Sequence, residues 1–156
     1  MKKKTKSEEL IKLFHYWCGR LKLDKPIETY KDNRLDCTVC VDNWDDKNKI
    51  CLKYNSRKLE QLKKFEIIED VFHEIGHIIE RTLPYDTEEQ IIEAEYKAEN
   101  FAFNMMKKYY AKQYKMLLKY FIKTNMMKKL NKKLPIYYKA FSRIKDYKNT
   151  ENYNEK

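Results

Sequence analysis

The sequence predicts a mostly helical α+β fold with a small antiparallel β-sheet. Three observations predict it: long runs in which apolar residues recur at helical spacing, one short segment in which they alternate, and a scarcity of glycine. With 2 glycines and 3 prolines, the chain has few of the residues that build an all-β sandwich or a glycine-rich phosphate loop. Its 156 residues are a usual length for one domain.

The first elements are a helix and a hairpin. Thr5 and Glu8 form a capping-box pattern, and apolar residues at helical spacing continue to about Leu23. Over residues 34–54, apolar and polar residues alternate on both sides of a polar turn at 45–48. This alternation predicts a β-hairpin with one buried face.

Two longer helices follow. The apolar spacing from Asn55 to Arg81 predicts one continuous helix, which residues 83–86 interrupt. Thr87 and Gln90 form a second capping box, which predicts the start of the next helix.

The last third is predicted to remain helical. Pro135 is expected to start a last short helix that ends before Asp146, and residues 147–156 are expected to be a frayed polar tail. The organisation predicted from this pattern is a main domain at residues 1–106 and a basic helical extension at 107–156 packed on the same domain.

The positive charge of the chain is concentrated in this extension. The net charge is +10, and residues 105–156 carry 15 Lys/Arg against 3 Asp/Glu. Such a segment indicates an anionic partner such as nucleic acid, a membrane surface or an acidic protein, although a solvated lysine-rich face is the simpler alternative. Of these partners, nucleic acid bound through residues 107–156 is the one we predict. Aromatic residues that suit base stacking, and equally suit a helical core, are Tyr109, Tyr110, Tyr114, Tyr120 and Phe121.

Targeting and cysteine patterns predict a cytoplasmic protein without a membrane segment. No stretch reaches the ~18 apolar residues that span a bilayer, and the basic N-terminus lacks a following apolar segment. The cysteines are expected to be reduced thiols. Cys37 and Cys40 have the spacing of half a zinc site or a redox pair, but positions i and i+3 of a strand face opposite ways. We therefore expect both to pack as small apolar residues.

One short motif predicts a zinc site. His73-Glu74-Ile75-Gly76-His77 is an HExxH motif on a predicted helix, and histidines at i and i+4 can reach the same zinc ion. Glu74 lies about 100° around the helix, beside the metal, where it can take a proton from water. Gly76 costs ~1 kcal/mol in a helix interior, so we expect another backbone to approach the helix there.

The third ligand is expected to be a carboxylate. The remaining histidine, His15, lies far upstream on the first helix, where partial burial is expected. On the downstream helix, Glu95 and Glu99 share a face with Ala98 and Ala102, which permit close approach of a second helix. A carboxylate buried on such a face needs a positive charge, and zinc supplies one.

The HExxH motif and the segment 18 residues after it resemble the ImmA/IrrE metallopeptidase family. That segment, Glu95-Tyr96-Lys97-Ala98-Glu99-Asn100-Phe101-Ala102, resembles the family's second motif, Glu-x-x-Ala-Asn/Asp-x-Phe-Ala. The resemblance covers about residues 35–105 and implies a zincin-like, gluzincin-like metallopeptidase domain within residues 1–106. It implies Zn²⁺ bound by His73, His77 and Glu95, with Glu74 as the general base.

The chain departs from the family at two places. Glu99 stands where the family has Asn or Asp, the group that orients a ligand histidine, and we expect the longer side chain to require a backbone adjustment. The family's Leu-Leu-Met-Pro ending is replaced by Phe103-Asn104-Met105-Met106.

The function implied by the resemblance is that of a zinc-dependent endopeptidase that hydrolyses a peptide bond in a cytosolic protein. Because family members commonly cleave a DNA-binding repressor, a repressor is the implied substrate. A tyrosine such as Tyr109 or Tyr110 is expected to donate to the oxyanion. The alternative is a nucleic-acid-binding or regulatory module with a structural or vestigial zinc site. A DNA-associated protease of the SprT type is less favoured, since no third histidine follows His77.

Overall fold

The computed structural model describes residues 3–42, 48–80 and 85–153, and it confirms a mostly helical α+β fold. Its strands are β1 (Ile27–Lys31), β2 (Val39–Asp42) and β3 (Ile50–Tyr54). Its helices are α1 (Lys6–Arg20), α2 (Ser56–Leu59), α3 (Lys64–Glu80), α4 (Glu88–Tyr109), α5 (Ala111–Thr124), α6 (Met126–Lys133), α7 (Pro135–Phe141) and α8 (Lys145–Tyr153).

The sheet is mixed instead of purely antiparallel. β2 and β3 pair antiparallel, as the hairpin prediction requires, but β1 adds to the other side of β3 in parallel, giving the order β1-β3-β2. β2 begins at Val39, later than predicted, because residues 36–38 form a bend in which the Thr38 hydroxyl donates to Asp70 of α3 at 2.6 Å. Most of the predicted turn, residues 45–47, lies outside the described residues.

Both predicted capping boxes are confirmed, at Thr5 before α1 and at Thr87 before α4. Two helix boundaries differ from the prediction. α1 ends at Arg20 because Lys22 adopts a left-handed backbone conformation. The predicted continuous helix is divided into α2 and α3, and the side chain of Glu66 accepts a hydrogen bond from the Lys63 N–H just before α3 begins.

The predicted polar tail is wrong for the described residues up to 153. They form α8, whose Tyr147 and Thr150 are buried. The ring of Tyr147 stacks on Phe103, Phe121 and Phe141 with centroid distances of 4.5, 5.0 and 5.2 Å. Aromatic burial of this kind stabilises a helix that its polar composition alone does not predict. Pro135 starts α7 as predicted, but α7 is followed by α8.

α3 runs through the core and lies against α1, β2, α4 and α5. The backbones of α3 and α4 approach each other closely at Gly76, where an added Cβ would lie 2.8 Å from both the Cα and the carbonyl oxygen of Ala98. The expected close approach of another backbone at Gly76 is therefore confirmed.

The described helices include none that is both long enough and apolar enough to cross a bilayer.

Candidate metal centre

Three potential ligand side chains converge between α3 and α4. His73 and His77 lie one turn apart on α3, and Glu95 faces them from α4. One ligand atom from each lies within 4.8 Å of the other two. His73 Nε2 is 3.0 Å from Glu95 Oε2 and 3.1 Å from His77 Nε2. Two imidazoles and one carboxylate can hold a divalent metal ion, and known zinc sites are among those that use these donors.

The second nitrogen of His73 is held by Glu99. Its Nδ1 lies 2.6 Å from Glu99 Oε2, while the Tyr147 hydroxyl donates to Glu99 Oε1 at 2.8 Å. Glu69 also shares a hydrogen bond with Glu99. Glu99 makes this contact from within α4, which is continuous from Glu88 to Tyr109.

The electrostatics of the centre favour a positive charge at its middle. Burial opposes ionisation of Glu95, but hydrogen bonds and charges from His73 and His77 outweigh it and lower the pKa of Glu95 to about 2. Burial favours neutral His73, yet the carboxylates of Glu95 and Glu99 raise its pKa well above the usual value. Two buried carboxylates thus stabilise positive charge, which a divalent cation supplies as well as a proton does.

Glu74 lies beside these three potential ligand residues and is buried. The backbone N–H of Val41, on β2, donates to Glu74 Oε2 at 2.8 Å. Burial raises the pKa of Glu74, and the nearby His73 and His77 partly oppose this rise. A carboxylate with a raised pKa accepts a proton more readily, as a general base must.

These groups form one wall of an open cavity of about 520 Å³. The segment that enters and forms β2 also lines the cavity, through Cys37, Val39, Cys40, Val41 and Asp42. Tyr85, Ile91 and Tyr137 complete the lining.

The tyrosines at the cavity are not the expected ones. Tyr109 and Tyr110 pack on Trp17, whose indole Nε1 donates to the Tyr110 hydroxyl at 3.1 Å. The cavity contains Tyr85, whose hydroxyl is 3.2 Å from His77 Nδ1, and Tyr137. Tyr85 follows His77 by eight residues, in the connection between α3 and α4. Tyr137 lines the cavity from α7, which is remote along the chain, so no local sequence signal points to it.

Two other expectations also require correction. His15 is exposed on α1 instead of partly buried. Cys37 is exposed instead of packed, and it lines the cavity together with Cys40. The expectation that the two thiols face opposite ways assumed an extended strand, whereas the chain bends at residues 36–38.

We compared the chain with protein-family models, curated proteins and solved structures, and none of them matches it.

Proposed function

We propose that this chain is a zinc-dependent endopeptidase of the ImmA/IrrE type. The observation that carries the proposal is the convergence of His73, His77 and Glu95 beside a buried Glu74 at an open cavity. In this assignment the first three residues hold Zn²⁺, and Glu74 is the general base. The two nitrogens and one carboxylate oxygen match the donors of a catalytic zinc site, which keeps a further position for water or substrate.

When bound, zinc supplies a Lewis acid that polarises the scissile carbonyl and lowers the pKa of water toward ~7. Glu74 takes a proton from the attacking water and passes it to the leaving amine, while the Val41 N–H holds its carboxylate in position. Tyr137 suits the role of oxyanion donor, because it lines the cavity and its hydroxyl can donate a hydrogen bond to a developing negative charge.

The first test is metal content. We expect the purified wild type to contain about one zinc per chain by elemental mass spectrometry, and His77→Ala to contain far less, because two ligands hold zinc poorly. His15→Ala is the matched control, since it removes an exposed histidine on α1. Absence of zinc from the wild type after incubation with stoichiometric metal would contradict the proposal.

The role assigned to Glu99 is to orient His73. Glu99→Gln keeps the size of the side chain but removes the charge next to His73 Nδ1, so we expect zinc affinity to fall about 10–100-fold. The control is Glu93→Gln on the same helix, whose carboxylate pairs at the surface with Arg143. Competition with a zinc-binding dye measures both affinities, and equal affinities would contradict this role.

The substrate class we propose is a cytosolic protein, and a DNA-binding repressor follows from the family resemblance alone.

A second candidate function, binding of nucleic acid, is favoured by one surface of the extension. We call it the lysine face and define it as Lys112, Lys115, Lys119, Lys123, Lys128, Lys129, Lys132 and Lys133 of α5 and α6. All eight are exposed, and the segment 111–133 contains neither Asp nor Glu. The ion pairs formed by basic residues of the extension within the described ranges involve Lys107, Lys139, Arg143 and Lys148 instead.

Base stacking is not favoured by the same segment. Of its aromatic residues, Tyr114 and Phe121 are buried in the core, so they are not available to bases. We expect the lysine face to bind a nucleic acid through its phosphates, which makes binding steeply dependent on salt.

Salt-dependent binding of duplex DNA tests this second candidate. We expect the triple variant Lys115→Glu, Lys119→Glu, Lys123→Glu to reduce the slope of log Kd against log salt by about 3, roughly one unit for each lost phosphate contact. Fluorescence anisotropy with a labelled duplex measures the slopes. Lys3→Glu, Lys4→Glu, Lys12→Glu makes the same charge change on exposed residues elsewhere and should leave the slope nearly unchanged. Absence of binding at low salt would exclude this function.

A further inference from the structure

Two cysteines lie together on the wall of the cavity. Cys37 is in the bend at residues 36–38, and Cys40 is in β2. Both line the cavity that contains His73 and Glu74. Because the bend interrupts the alternation of an extended chain, the two thiols meet and share a hydrogen bond. The geometry is that of a Cys-x-x-C pair at an accessible surface.

The two thiols differ in acidity. The hydrogen bond from Cys40 lowers the pKa of Cys37, whereas the same bond, together with burial, raises the pKa of Cys40. The thiolate is the reactive form of cysteine, and Cys37 is also the more exposed of the two. Cys37 is therefore the nucleophile of the pair, and Cys40 is placed to react with an oxidised form of Cys37.

The other two cysteines of the chain provide an internal comparison. Cys18 and Cys51 are 1% and 5% exposed, and burial raises the pKa of Cys18 to about 12. Neither lines the cavity. A small oxidant in water thus meets Cys37 before either of them.

We propose that Cys37 and Cys40 are an oxidation site that closes to a reversible disulfide when the protein meets a hydroperoxide. The Cys37 thiolate attacks one oxygen of hydrogen peroxide, and the O–O bond breaks, so that Cys37 becomes a sulfenic acid. The hydroxide that leaves takes up the proton that Cys37 lost on ionising and becomes water. The Cys40 sulfur then attacks the Cys37 sulfur, the S–O bond breaks, and the Cys40 proton leaves with the oxygen as water. In total, two thiols are oxidised to one disulfide, and one hydrogen peroxide is reduced to two waters.

The disulfide has a consequence for the metal centre. Cys40 directly precedes Val41, whose N–H holds the Glu74 carboxylate. Closing the disulfide constrains this segment and displaces that N–H, while the ligand set of His73, His77 and Glu95 includes no cysteine. We expect the oxidised protein to keep its zinc and to hydrolyse peptides up to about 10²-fold more slowly, the size of effect that a small displacement in a site produces. This consequence rests on the proposed peptidase function, whereas formation of the disulfide does not.

The test uses the full-length, zinc-loaded protein treated with hydrogen peroxide, then with N-ethylmaleimide, and then with trypsin. One tryptic peptide, residues 35–47, contains both cysteines. We expect this peptide to lose two hydrogens, to take no maleimide, and to recover both thiols after reduction with dithiothreitol. The peptides that contain Cys18 and Cys51 should remain unoxidised at the same dose.

Two variants establish the order of the steps. In Cys40→Ser, we expect the peptide to gain oxygen at Cys37 instead of losing hydrogen. In Cys37→Ser, we expect no oxidation of Cys40 at the dose that fully converts the wild type.

Several outcomes would overturn the proposal. One is maleimide labelling of both Cys37 and Cys40 in the peroxide-treated wild type. Another is a gain of oxygen at Cys37 without the loss of two hydrogens that a disulfide requires. A third is oxidation of Cys18 as fast as that of Cys37. Equal hydrolysis by the reduced and oxidised forms would overturn the consequence for the centre. If the disulfide forms but neither the reduced nor the oxidised protein hydrolyses peptides, the result would contradict the peptidase function and still support the oxidation site.

Discussion

Replacing Glu74 with glutamine is expected to abolish peptide hydrolysis while leaving zinc in place. A general base contributes about 10²–10⁴-fold to rate, and an amide cannot take the proton that Glu74 is proposed to accept. The amide oxygen can still accept the hydrogen bond from the Val41 N–H, so β2 and α3 keep their contact. Glutamine also removes the free-energy cost of a buried negative charge. We therefore expect the free energy of unfolding to be unchanged or slightly increased.

Peptide hydrolysis, zinc content and unfolding free energy are measured on the same preparation of each variant. Hydrolysis of a mixed-sequence peptide library is followed by mass spectrometry, zinc by elemental mass spectrometry, and unfolding by circular dichroism in urea. Glu80→Gln is the matched control, because Glu80 is exposed on the same helix and does not line the cavity. Full activity of Glu74→Gln would exclude the proposed mechanism, and loss of zinc would indicate that Glu74 helps to hold the metal.

The parts of the molecule that could be predicted from the sequence depend on local spacing. The capping boxes, the i, i+4 histidines of α3 and the common face of Glu95 and Glu99 on α4 are properties of single helices. Their proximity in the fold then follows from packing of two adjacent helices that carry small residues, Gly76 and Ala98, at their contact.

What could not be predicted depends on contacts between segments far apart in the chain. Tyr147 reaches Glu99 from 48 residues away, and its helix is polar apart from the residues that enter the core. β1 joins the sheet through a parallel pairing with β3 that no turn specifies. The bend before β2 depends partly on the contact between Thr38 and Asp70, so the meeting of Cys37 and Cys40 is also a tertiary effect.

The second large effect is expected from adding one methyl group where α3 meets α4. In Gly76→Ala, the new Cβ would lie 2.8 Å from two backbone atoms of Ala98, a distance that real Cβ contacts do not reach. A backbone cannot rotate away as a side chain can, so the two helices must move apart. Overpacking of this kind costs about 1–3 kcal/mol, against a gain of ~1 kcal/mol from the better helix propensity of alanine.

The sign of the change in unfolding free energy shows which effect dominates in Gly76→Ala. The close contact with Ala98 predicts a loss of stability, and helix propensity predicts a gain. Gly19→Ala is the matched control, since Gly19 lies in α1 with nothing within 4 Å of its added Cβ and without a left-handed backbone conformation. Urea unfolding without metal should show Gly19→Ala equal to or up to about 1 kcal/mol more stable than wild type, and Gly76→Ala less stable. Because the same helix contact sets the distance from His77 to Glu95, zinc affinity should fall in Gly76→Ala alone. If both variants gain stability, Gly76 is not required for the approach of the two helices that carry the ligands.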